Sequence, residues 1–132
     1  MKELHELIRY RLERAKETVD EANLLAGAGH WNACVNRLYY ASFYAVSALL
    51  GIHPSRHTGV RSAFGQHYIR TGLISKDLGT LYNDLFESRL EGDYEDFTRM
   101  DPEMVRPWLG RVADLLREID RLITTKNSLP SK

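Results

Sequence analysis

The chain has 132 residues, 43% of them apolar and 27% charged, with 18 cations balanced by 18 acids. That length fits a single domain with one core, and the composition excludes a disordered or collagen-like chain. One cysteine, Cys34, excludes an internal disulfide and a thiolate zinc cluster. The opening stretch MKELHELIRYRLERAK has charges throughout and no apolar run, so no secretory signal is expected and a cytoplasmic setting is.

Leu4, Ile8, Leu12 (or Arg11), Ala15, Val19, Ala22 and Ala26 recur at three- and four-residue steps, which predicts an amphipathic helix over residues 2–26. Gly27 and Gly29 stop it. His30 or Trp31 opens a second helix to Leu50 with two apolar stripes, one through Val35, Leu38, Ser42, Ala45 and Leu49, the other through Tyr39, Phe43, Val46 and Leu50. A helix apolar on two sides is the central one of a bundle. Although this is the most apolar span, Asn32, Asn36 and Arg37 in its first half fit a buried helix rather than a membrane span.

Gly51 and His53-Pro54 predict a break and a loop. A short third helix follows from a Thr58 cap to Arg70, with Val60, Phe64 and His67 or Tyr68 on one side. Ser75 caps a fourth, carrying Leu78, Leu81, Leu85, Phe86 and Leu90, which Gly92 should loosen or end. Asp101-Pro102-Glu103 is a strong start for a fifth, reaching Thr125. The expectation is an all-α, up-and-down bundle of four long helices and one short helix, a domain over residues 1–125 and a loose tail over 126–132.

The zero net charge is unevenly laid out. Residues 51–76 hold Arg56, Arg61, Arg70 and Lys76 with no acid, whereas residues 77–103 hold nine acids against Arg89 and Arg99. The two segments either pair in the fold or offer opposite patches to partners.

Glycine-rich phosphate loops, HExxH, GxSxG and EF-hand loops are absent. His53 and His57 have metal-like spacing, but Pro54 stands between them and no third ligand accompanies them, so neither a metal nor a cofactor is expected. His57 shares a helix face with Arg61, and His67 lies three residues before Arg70. Such pairs can hold a phosphodiester, and imidazole serves as acid or base near neutrality; packing of His67 beside Phe64 and Tyr68 is the plainer alternative. Arg37 inside an apolar helix calls for an acid, a carbonyl or a partner chain, an ion pair with an acid of another helix being the plainer reading. In SRLEGDY, Arg89 and Asp93 can form an i,i+4 ion pair. Arg89 and Tyr94, five apart, lie about 140° apart round a regular helix, and converge only if Gly92 breaks the helix or a second chain supplies the partner.

In order and spacing, NRLYYASFYAVSALL, His57-Thr58-Gly59, FGQHYIRTGLI and SRLEGDYEDF resemble the HEPN family, and are most similar to its small stand-alone prokaryotic branch. The likeness runs from about Glu13 to Ile123. It implies a helical bundle acting as a homodimer, often beside a minimal nucleotidyltransferase in a toxin–antitoxin pair. In the nuclease members, an arginine followed after four to six residues by histidine forms a metal-independent RNase site paired across the dimer. The matching positions here are Arg89 and Tyr94, so tyrosine replaces the histidine, with Asp93 beside it; Arg61-x5-His67 fits the spacing but sits on the third helix, outside the family's usual place.

Three readings follow. The chain is a nucleotidyltransferase partner that binds nucleotide or RNA through Arg37, Tyr40, His57, Arg61 and His67. Alternatively it is an RNase toxin with a variant site at Arg89, Asp93 and Tyr94, or a helical adaptor in which these clusters are only ion pairs.

Overall fold

The computed structural model describes residues 2–51, 56–94 and 100–127 and, of residues 90–94 and 126–127, the backbone alone. Five helices follow in order: α1 (Lys2–Gly27), α2 (Trp31–Leu50), α3 (His57–Phe64), α4 (Lys76–Tyr94) and α5 (Pro102–Asn127). A π-helical turn, Gly65–Ile69, continues α3. No strand occurs among the described residues, and the architecture is the expected all-α bundle.

The centre of the bundle is α2, which packs against all four other helices. Both of its apolar stripes are buried, Leu38, Ala45 and Leu49 on one and Tyr39, Phe43 and Val46 on the other. It ends on Gly51 at φ 67°, a left-handed conformation that glycine adopts without strain, with the glycine N–H donating to the Ser47 and Ala48 carbonyls. Gly29, at φ 79°, turns the chain between α1 and α2. Val105, Trp108, Val112, Leu115, Ile119 and Ile123 form the buried stripe of α5. The Asp101 carboxylate caps that helix by accepting from the Glu103 N–H at 3.0 Å.

Position 11 or 12 of α1 was open in the sequence, and the structure buries both. Arg11 is only 7% exposed, and its guanidinium donates to the Ser47 carbonyl at 3.4 Å. Burial pushes its pKa below the ordinary arginine value.

Three local expectations need correction. Thr58 does not cap α3: the helix starts one residue earlier, with Arg56 extended before it. The first helical residue is His57, whose ring packs on α2. Beyond Phe64 the third segment widens into the π-turn, and this places Tyr68 in the core and His67 outside it. Gly92 does not end α4, whose backbone remains helical to Tyr94. The expected tail falls mostly outside the described residues, while α5 runs two residues past Thr125. No helix among the described residues is long and apolar enough to cross a membrane.

Candidate functional site

The site is built where α3 and α4 meet the aromatic stripe of α2. Tyr39 and Phe43 are one turn apart on α2 and stack at 5.9 Å between ring centres. His57 lies flat on Phe43, at 4.2 Å and 6° between planes, and its Nδ1 is 2.8 Å from the Tyr39 hydroxyl. Tyr40 meets the imidazole edge-on at 5.7 Å. Arg89 of α4 completes the cluster, its guanidinium 5.1 Å from the Tyr39 ring centre and 5.9 Å from that of Phe86. A cation on an aromatic face is favourable, the more so where water is partly excluded.

Electrostatics keep the inner pair neutral. Burial pushes the Tyr39 phenol up to about 12, against a smaller lowering by Arg89. The His57 imidazole is pushed below its usual value, first by burial and then by the Arg89 charge. At neutral pH the cluster therefore combines one fixed cation, a protonated phenol and a neutral imidazole. Tyr82 lies behind them at 5.9 Å from Tyr39, with its phenol raised further by burial.

The expected site residues divide into groups. Arg89, His57 and Tyr40 share this cluster, and Arg61 adjoins it with its guanidinium 4.3 Å from the Phe86 ring centre and 3.2 Å from the Glu87 carboxylate. Arg37 faces α1: it meets Glu21 at 3.4 Å, bonds to Asn36 and lies 5.4 Å from the Tyr40 ring centre. His67 stands apart and exposed, beside Leu50, Tyr68, Leu73, Leu122 and Thr125 round an apolar hollow of about 470 Å³. Asp93 and Tyr94 lie on the α4 backbone with side chains outside the described residues, as is all of His53. Because α4 is continuous through Gly92, positions 89 and 94 stay about 140° apart round one helix.

Sequence reasoning placed Tyr39, Phe43 and Phe86 in the core and missed their part in the site. The available signal was the four-residue step from Tyr39 to Phe43 in a helix already carrying Tyr40 and Tyr44. Among the described residues no group of three or more His, Cys, Asp or Glu could hold a metal ion.

Comparison with known proteins agrees with this architecture. The family model described as the HEPN domain matches residues 8–122. A UPF0332 protein of Thermotoga maritima is 40% identical over 126 residues, covering 93% of this chain and 96% of its own. Two chains of Methanocaldococcus jannaschii named as candidate toxins are similar as well. The first is 28% identical over 97% of this chain and 86% of its own, the second 30% identical over 70% and 72%. A helical bundle matched over most of its length by that domain model and by these relatives belongs to the HEPN domain family.

Proposed function

We propose that this chain works as a homodimer in a toxin–antitoxin-type pair, binds RNA or a nucleotide through Arg89 and His57, and has a minimal nucleotidyltransferase as its partner. The observation that carries the reading is the meeting of Arg89 with the Tyr39–His57 pair. A guanidinium held on an aromatic face offers paired N–H donors to a phosphate. Tyr39 holds the Nδ1 side of His57, and Nε2 is left to bond a phosphate or a ribose hydroxyl. The toxin part of the reading takes support from the names of the Methanocaldococcus jannaschii relatives. The dimer takes support from the continuity of α4, since a second copy can bring Tyr94 to Arg89 where one helix cannot.

A metal-independent RNase is the second reading, favoured by the neutral imidazole beside Arg89. Such an imidazole can take the proton of a ribose 2′-hydroxyl while the arginine stabilises the phosphorane charge.

The test is RNA binding and cleavage by the purified protein in EDTA, with Arg89→Ala, His57→Gln and Tyr94→Phe alongside and the oligomeric state measured by sedimentation. The binding reading expects a dimer whose RNA affinity drops roughly ten- to a hundredfold in Arg89→Ala, the effect of losing a charged hydrogen bond. Cleavage in EDTA that disappears in Arg89→Ala and His57→Gln selects the RNase. A folded wild type that neither binds RNA or nucleotide nor cleaves RNA overturns both.

A further inference from the structure

Arg61 has a second side. Its guanidinium shares the Phe86 ring with Arg89, and it also opens a groove of about 740 Å³ between α3, the π-turn and the first half of α4. Two further cations, Arg70 and Lys76, line this groove together with the neutral polar side chains of Ser62, Gln66, Thr80 and Asn83. No described carboxylate lines it, and none pairs with Arg70 or Lys76.

Two local features make one wall meet the other. On α4, Lys76, Thr80 and Asn83 recur at four- and three-residue steps and so share a face. Gly79 lets α4 approach the π-turn closely, because a Cβ there would come within 3.0–3.1 Å of the Ile69 side chain. On the opposite wall, Arg61 and Arg70 are nine residues apart, which on an uninterrupted α-helix means about 900° and opposite sides. A π-turn holds one residue more than an α-turn. The Gly65–Ile69 turn thereby reduces the effective separation to about eight residues, or roughly 80°. Both arginines then reach the same groove.

We infer that this groove carries the backbone of single-stranded RNA towards Arg89, with Arg61, Arg70 and Lys76 on successive phosphates and the neutral side chains on sugar and phosphate oxygens. The inference rests on the RNA reading above. Contacts of these types position a strand without reading its sequence. From Lys76 to Arg89 is about 20 Å along α4, a span of several nucleotides. Glu87 guards the junction: its pair with Arg61 at 3.2 Å is exposed, and an exposed pair is weak enough for a phosphate to displace the carboxylate.

The deciding measurement is fluorescence anisotropy with labelled oligouridylates of three and eight nucleotides over a series of salt concentrations. The variants are an Arg70→Ala/Lys76→Ala double, Glu87→Gln and Arg89→Ala. Arg70 and Lys76 are exposed, so the double variant leaves the core intact. It should lose about tenfold in affinity for the eight-mer, with the salt slope smaller by about 1.4 for two lost phosphate contacts, and keep wild-type affinity for the three-mer. Glu87→Gln should tighten the eight-mer several-fold. Eight-mer binding that is sensitive to Arg89→Ala yet indifferent to the double variant and to Glu87→Gln overturns the track and leaves the site at Arg89 standing, the groove then serving another partner such as an acidic protein surface. No binding of either oligomer by the wild type defeats the RNA reading itself, and the track with it.

Discussion

Two faces of this bundle set arginines against tyrosines, and they differ in what else is present. On the α1–α2 face, Arg14 lies 5.5 Å from the Tyr44 ring centre and Arg37 lies 5.4 Å from that of Tyr40. Both also reach Glu21, at 3.9 and 3.4 Å, and Arg14 reaches Glu17 at 3.7 Å. Where α2 meets α3 and α4, Arg89 lies on Tyr39 beside an imidazole, and the adjoining groove holds cations with no carboxylate among its described lining residues. A cation on an aromatic ring is thus common to both faces and distinguishes neither. What distinguishes them is the imidazole beside Arg89 and a groove whose described lining holds no carboxylate. Arg37 meets an acid from another helix, whereas Arg70 and Lys76 face a groove that a phosphate can enter.

This contrast can be attacked at several points. The largest effect belongs to Arg89→Ala, which should weaken RNA binding by about 1.5–3 kcal/mol in a titration at fixed salt. Next comes an attempt to convert the first face into the second. Glu21→Gln removes the carboxylate shared by Arg14 and Arg37 while Arg14 keeps Glu17, and should tighten RNA several-fold and steepen the salt slope by about 0.7 for the released Arg37. If Glu21→Gln changes nothing, carboxylate pairing is not what silences that face.

A smaller effect lies in the pH dependence of stability. His57 is faced by Tyr39 and Tyr40 from α2 and by Arg89 from α4, and its folded pKa lies below the ordinary value. The unfolded chain therefore takes up a proton first as pH falls, so His57 lowers stability progressively from about pH 6.5 down through its folded pKa. The denaturant midpoint of His57→Gln should fall less than that of the wild type over this window; parallel curves would show that the imidazole is not perturbed. The smallest change is expected for Arg37→Ala, whose partly exposed pair with Glu21 should contribute less than about 1 kcal/mol to stability and whose loss should alter RNA affinity less than twofold.

Much of the fold was legible because burial imposes a period. The stripes of α2 and α5 were visible at three- and four-residue steps, as was the acid and proline that open α5. The π-turn was not, since a run such as GQHYI carries no local mark of an extra residue per turn, and the choice between His67 and Tyr68 depends on that phase. Arg11 stayed an alternative to Leu12 for another reason: whether a charged residue belongs at a core position is settled only by a partner such as the Ser47 carbonyl, 36 positions later. Within the site, Arg89 could be picked out from SRLEGDY, but its neighbours could not. The company of His57 depends on α3 folding back onto Phe43 and Tyr39, a contact across a loop that no spacing encodes.

Cys34, in the first half of the central helix, is the chain's one thiol; it is fully buried, and burial raises its pKa to about 11. A thiolate-seeking reagent therefore finds almost nothing to attack in the native bundle. Its reaction rate instead counts how often α2 becomes exposed, so the chain contains its own clock for opening of the core, readable at a single atom without any added label.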